Sequence, residues 1–254
     1  MRVTPGFHLG ASRRRFRPRL AATLAVAVAL PVLLGLGVWQ LERGREKARL
    51  LAQAAAIQEQ PPLDLGRAGS VAAIADLRQV TVRGVLLGER QGLLDNQVRD
   101  GQVGYDVLTP LRVEGLAEVL LVDRGWLARG ARRSDVPAWQ TPAGEVTLIG
   151  YLHRPTDVPL VTGDVSDSFS GRWVVSQIDP SLLGEYLGMP LQARVLRLAP
   201  QSEHGFRRDW RLVSMTPQRH YGYAVQWLGL AGALFGIYLL AGLRRARSDT
   251  TAED

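Results

Sequence analysis

The chain has 254 residues, enough for two membrane spans and one soluble domain of ordinary size. It carries no cysteine, and its methionines are Met1, Met189 and Met215 alone; this excludes disulfides, CxxC redox chemistry and thiolate metal sites, and leaves a soft-ligand copper carrier hard to build. The formal net charge of +7 is almost all arginine, with Lys47 the only lysine; the excess clusters beside apolar stretches, which suits lipid head groups better than nucleic acid.

Residues 1–19 form a basic tail containing Arg13, Arg14, Arg15, Arg17 and Arg19. Leu20–Leu41 follows without a charge and is long enough to span a bilayer. A cleaved signal peptide would have a shorter core and a nearby small-residue cleavage site, whereas this one ends in Trp39-Gln40-Leu41-Glu42-Arg43. Ser12-Arg13-Arg14-Arg15-Phe16 leaves a twin-arginine signal open. The favoured reading is an anchor whose arginines stay in the cytoplasm. Pro31 is expected to kink the span. Residues 42–60 continue as a helix, with Glu42/Glu46, Arg45/Arg49 and Leu50/Ala54 at helical spacing. Trp39, Arg43 and Lys47 are four apart and share one face, either as a membrane anchor or as part of a site.

Pro61-Pro62 ends that helix and opens a soluble domain over residues 61–219. Short β-branched runs between turn residues predict strands at Arg78–Leu87, Gly92–Gln97, Gly104–Val113, Glu118–Leu127, Glu145–His153, Arg172–Ile178, Ala193–Leu198 and Trp210–Val213. Asp100-Gly101 is a tight turn, and Pro110 marks an edge or a bulge. Asp179–Tyr186 is predicted as a short helix capped by Asp179, with Pro180 at its first position. The expected fold is a membrane protein in which two transmembrane helices flank an α+β domain dominated by an antiparallel, barrel-like β-sheet.

The second span is residues 220–243, and Arg244, Arg245 and Arg247 begin the last tail, 244–254. Two spans put both termini on one side, expected to be cytoplasmic, and the domain on the other; the arginine bias suggests a bacterium, and hence its plasma membrane. Gly232 and Gly236 form a small-residue face for packing on the first span, with dimerisation as the alternative.

No GxSxG, GxGxxG or GK[ST] motif is present, and His8, His153, His204 and His220 lack zinc-site spacing. The protein is therefore not expected to be an enzyme. His153 and His204 read as surface residues. His220 differs in having Tyr223 and Trp227 on its helical face at the membrane boundary, the depth at which Trp39 and Arg43 end the first span. An imidazole there can ligate haem iron, with Arg43 or Arg219 beside the propionates, or can simply anchor the helix; the residues alone leave both open.

Five segments, in order, resemble the surfeit-locus cytochrome c oxidase assembly proteins. Leu36-Gly37-Val38-Trp39-Gln40-Leu41-Glu42-Arg43 with Lys47 resembles the GxWQxxR…K signature. Gly104-Tyr105-Asp106-Val107-Leu108-Thr109-Pro110-Leu111 after Gly84 resembles the GY-x-V-x-TPL segment, and Leu121-Val122-Asp123-Arg124-Gly125-Trp126-Leu127 the VNRGW segment. Trp173 with Asp179 fits a weaker pattern, and Arg219-His220-Tyr221-Gly222-Tyr223-Ala224-Val225-Gln226-Trp227 resembles HLxYAxxW. Asp123 stands where many members have asparagine, and Tyr221 where leucine is expected. The resemblance implies an assembly factor that helps deliver haem a to oxidase subunit I or retain it there, with His220 as ligand to the haem iron and Trp39, Arg43, Tyr223 and Trp227 around it. The implied partners are subunit I and membrane lipids, with a haem a synthase and self-association left open. The alternative is a scaffold that stabilises a subunit I intermediate without binding haem; a general membrane-anchored binding module ranks below both.

Overall fold

The computed structural model describes residues 16, 18–132, 135–136, 138–155, 165–167, 171–210, 212–213 and 215–250, the last seven by backbone alone. Arg13, Arg14, Arg15 and Arg17 of the first tail, residues 251–254, and the side chains of Arg244, Arg245 and Arg247 lie outside it.

Two units divide the chain, one of residues 1–51 with 212–254, the other of residues 52–211. The first is a helix pair. Helix α1, Leu20–Gln58, is continuous through Pro31 and through the charged stretch after Leu41. The last helix runs over Pro217–Thr250, with Pro217 at its first turn, where the missing N–H costs nothing. Both are long and apolar enough to cross a membrane, and only 6% and 11% of their most apolar windows is buried. A core helix of a soluble domain would be mostly buried, so these two are suited to lipid instead.

Small residues set the contact between the two helices. A Cβ on Gly37 would lie 2.8 Å from the Leu228 side chain, and one on Gly44 would run into the Tyr221 ring. Farther along, the Thr23 and Tyr238 hydroxyls share a hydrogen bond of 3.0 Å, and Phe16 meets the Tyr238 ring edge-on. The partners descend in number along the last helix as those on α1 ascend, so the pair is antiparallel. The expected use of Gly232 and Gly236 is corrected here: a Cβ on either meets nothing within 4 Å. The close approach between the helices is made at Gly37 and Gly44 of α1.

In the second unit, β1 (Leu63–Asp64) and the single-turn α2 (Leu65–Ala68) precede β2 (Gln79–Leu86), β3 (Gly92–Arg99), β4 (Gln102–Val113) and β5 (Val119–Ala128). Then come β6 (Glu145–His153), β7 (Ser166–Asp167), β8 (Trp173–Val175), α3 (Pro180–Leu187) and β9 (Leu191–Leu198), which makes the Pro217–Thr250 helix α4. Five strands close a barrel in the order β2-β6-β9-β5-β4, with β4 returning to β2 through Gly84↔Val113 and Leu86↔Leu111. Every barrel pairing is antiparallel except β5 with β9. Strands β3, β8 and β7 extend the sheet beyond β4.

Alternation along each strand selects the core. Val80 and Val82, Leu120 and Val122, Leu148 and Leu152, and Leu196 and Leu198 fill the barrel with Leu111 and Val113, and Leu65, Val71 and Ile74 join them. The opposite faces of β5 and β9 present Leu121 and Val195 to α3, through Leu183 and Leu187. Asp179 caps α3 by accepting from the Ser181 and Leu182 amides at 2.9 and 3.2 Å, a contribution of about 1 kcal/mol. The β3–β4 turn is Asp100-Gly101, both at positive φ, as a two-residue hairpin requires. Pro110 lies within β4, where its carbonyl accepts from the Leu87 amide just past the end of β2. Arg78 ties the chain leaving α1 to β2 by donating to the Gln60 and Pro61 carbonyls at 3.1 and 2.6 Å.

The strand expected at Trp210–Val213 is not formed among the described residues. Instead, residues 206–207 lie along β5, exchanging backbone hydrogen bonds between Trp126 and Arg207 and from the Phe206 amide to the Arg124 carbonyl.

Candidate functional site

The site takes shape where α4 begins. His220 lies in the first turn of α4, half-buried, and its Nδ1 is 2.7 Å from the Gln40 Oε1 of α1. Gln40 sits between Gly37 and Gly44, whose lack of side chains lets α4 approach closely enough for this contact. On α4 the packed side carries Tyr221, Ala224 and Leu228, with Ala224 fully buried. His220 is at the border of that packed side. Around the helix, Trp227 and Tyr223 lie on its other flank, Trp227 half-buried and Tyr223 44% exposed.

On α1, Arg43 and Lys47 flank Gln40 in the same way. Helical periodicity in an antiparallel pair puts the Arg43–Lys47 flank and the Tyr223–Trp227 flank on the same side of the pair. Trp39, 49% exposed, is turned farther from α4. The Arg43 guanidinium donates to Glu46 at 2.8 Å, with both side chains about half exposed. The structure thus brings His220, Tyr223, Trp227 and Arg43 to one flank, with Trp39 at its margin. The residue that sequence reasoning missed is Gln40. Its signal was the Gly37/Gly44 spacing that brackets it.

The opposite sequence features, charges inside apolar strands, lead to a second feature in the barrel unit. Asp123 of β5 pairs across the sheet with Arg197 of β9 and shares with it the face that turns away from the barrel core. Asp123 is 1% exposed. Its Oδ1 accepts from the Gly125 amide at 3.1 Å, while its Oδ2 lies 3.9 Å from Arg197 Nε without a hydrogen-bond partner. Asp106 lies across the β4 bulge and is 3.5 Å from Arg99, which reaches Asp209 at 3.2 Å. Burial pushes the Asp106 carboxyl up to about 6, against the pull of Arg99. Burial, with help from Asp106, pushes Asp123 up to about 8, so at neutral pH it holds its proton. A protonated Asp123 has the shape and neutrality of the asparagine that the family resemblance leads one to expect there.

Arg124, Gly125 and Trp126 have structural work in this unit. Arg124 is 2% exposed and donates to the His204 carbonyl at 2.8 Å, Thr141 Oγ1 at 2.9 Å and the Gln140 carbonyl at 3.4 Å. Its guanidinium also lies 5.0 Å from the Phe206 ring centroid. Gly125 has φ +104°, and a Cβ there would be 2.7 Å from the Arg207 carbonyl. Trp126 donates its indole N–H to the Gln97 carbonyl at 2.8 Å. His153 is half-buried and not a surface residue as expected: burial, then Arg197, holds its imidazole down to about 4, against the opposing effect of Asp76. His204 serves through its backbone carbonyl. No group of three or more metal-binding side chains occurs among the described residues.

The fold and site define a class: a protein with two membrane-length helices and a small α+β barrel, with one histidine set at the border of the helix pair. Comparison with known proteins narrows this. The chain belongs to the SURF1 family, whose sequence model matches residues 27–232. It is 27% identical to an uncharacterised SURF1-like protein of Mycobacterium tuberculosis over 242 residues, covering 92% of this chain and 88% of that one. It is 30% identical to a SURF1-like protein of Monosiga brevicollis over 164 residues, covering 60% and 62%, and 24% identical to one of Rickettsia bellii over 223 residues, covering 85% and 88%. Membership implies a role in oxidase assembly.

Proposed function

We propose that this protein is a membrane-anchored assembly factor that receives haem a as cargo and assists its delivery to, or retention in, oxidase subunit I, with His220 as the chain's ligand to the iron. The observation that carries this reading is the placement of His220. One ring nitrogen is engaged by Gln40, which leaves the other for a metal, and the flank beside it combines aromatic side chains with cations. The residues suit such a cargo: Tyr223 and Trp227 offer apolar ring surface, and Arg43 and Lys47 offer positive charge for carboxylates at its edge. Family membership supplies the oxidase. The arginines that flank both spans support cytoplasmic termini, with the barrel on the far side of a bacterial plasma membrane.

The test is purification from a host that makes haem a. The expected result is a haem a spectrum in the wild type that is lost in His220→Ala while the barrel stays folded. Unchanged haem content in that variant removes His220 as the ligand, and co-purification of subunit I without haem in any preparation replaces the reading with that of a scaffold.

A further inference from the structure

We propose that Gln40 is the positioning residue of His220, fixing the imidazole as the Nδ1–H tautomer so that Nε2 carries the lone pair offered to a metal. This rests on the reading of His220 as a ligand. The atom 2.7 Å from Nδ1 is the Gln40 carbonyl oxygen, which can only accept. A hydrogen bond of that length therefore needs a proton on Nδ1, and a neutral imidazole with Nδ1–H has its lone pair on Nε2. The same bond holds the ring plane relative to α1.

The placement of Gln40 makes the assignment firm in space. Gly37 and Gly44 precede and follow it on the packed side of α1, and any Cβ at either would meet α4 side chains. Gln40 is thus the polar side chain held at the point of closest approach, and it is half-buried there. Ligating histidines characteristically donate their second ring N–H to such an acceptor, which fixes orientation and raises basicity; losing it typically costs 10–100-fold in metal affinity. Loss of a hydrogen bond that merely joined two membrane helices would loosen their contact without a matching loss of haem affinity.

The experiment uses the full chain in detergent or nanodiscs, with two readouts. The first is nitrogen NMR of His220 without haem at pH 8, with its signals assigned by their absence in His220→Ala. The wild type should show a protonated Nδ1 and an unprotonated Nε2, and Gln40→Leu should relax towards the Nε2–H form. The second is optical titration with ferric haem. Gln40→Leu should bind 10–100-fold more weakly than wild type, and Gln40→Glu, which keeps an acceptor of the same shape, should recover most of the loss. A wild-type ring protonated on Nε2, or a Gln40→Glu variant no better than Gln40→Leu, overturns the positioning role. Wild-type haem affinity in His220→Ala instead overturns the ligand reading beneath it, and the NMR result tells the two failures apart.

Discussion

Replacing Asp123 by asparagine should stabilise the barrel by a margin that is smallest near pH 4 and widens as the pH rises to about 8. The side chain is 1% exposed, and its Oδ2 has no hydrogen-bond partner. Burial raises its folded-state value to about 8, whereas in the unfolded chain it ionises in the ordinary range near 4. The sign follows from the protons bound. Between those two values the folded state holds a proton that the unfolded state has released, so each unit of rising pH favours unfolding by up to ~1.4 kcal/mol. The destabilisation is absent below the unfolded value, accumulates above it, and stops growing once pH passes the folded value. Two other groups restrict the useful window. Asp106 is raised only to about 6 and has finished its own contribution above that. His153, held down to about 4, acts in the opposite sense, costing stability as pH falls below its unfolded value near 6.5. From pH 6.5 to 8 the slope belongs to Asp123. Over that interval the wild type should lose about 2 kcal/mol relative to Asp123→Asn. Urea unfolding of the detergent-solubilised full chain, followed by tryptophan fluorescence, measures it. A wild-type stability with no slope across this interval, or an asparagine variant that tracks the wild type, would refute the assignment of a neutral Asp123.

Two further substitutions test the geometry. Gly125→Ala forces a side chain into φ +104° and towards a carbonyl 2.7 Å away; it should cost at least ~2 kcal/mol in the same unfolding assay and loosen the strand-like pairing of residues 206–207 with β5. Gly44→Leu drives a side chain into the Tyr221 ring; it should weaken the α1–α4 contact by about 1–3 kcal/mol. The absence of native cysteine allows single cysteines at Leu20 and Leu243 to carry a donor and acceptor pair, and energy transfer on heating should be lost at a lower temperature in the variant.

Much of the barrel was legible because period-two alternation and turn residues are local signals. Glu145–His153 coincides with β6, and Asp100-Gly101 and Asp179-Pro180 act as their chemistry dictates. The sequence could not show that β4 folds back on β2, or that β5 lies parallel to β9, because both pairings are decided by long-range packing. The short β1, β7 and α2 are held by their neighbours and have too few residues to show a period. Trp210 resembled a strand residue because it is aromatic and the apolar Leu212 and Val213 follow it. In the fold its indole donates to the Leu198 carbonyl at 2.8 Å and its ring lies 5.4 Å from the half-buried Arg197, so its role is that of a cover over that cation.

The helix pair shows why composition at the right depth does not by itself define a site. Trp39 and Arg43 attract attention because they are large or charged, but on a helix a step of one residue turns the side chain by about 100°. What decides which residue of α1 meets His220 is where the backbones can come together. Gly37 and Gly44 set that line, and Gln40 lies on it; Arg43 and Trp39 lie progressively farther round. The glycines of α4 drew the opposite inference, since Gly232 and Gly236 are small yet face no neighbour within 4 Å. A small residue permits close approach only where the partner presents a side chain to fill the space, as Leu228 and Tyr221 do against α1. The small positions of α1 set against the large positions of α4 select the Gln40 face. That packing leaves the aromatic and basic residues beside His220 on an open flank, where they do not have to hold the helices together.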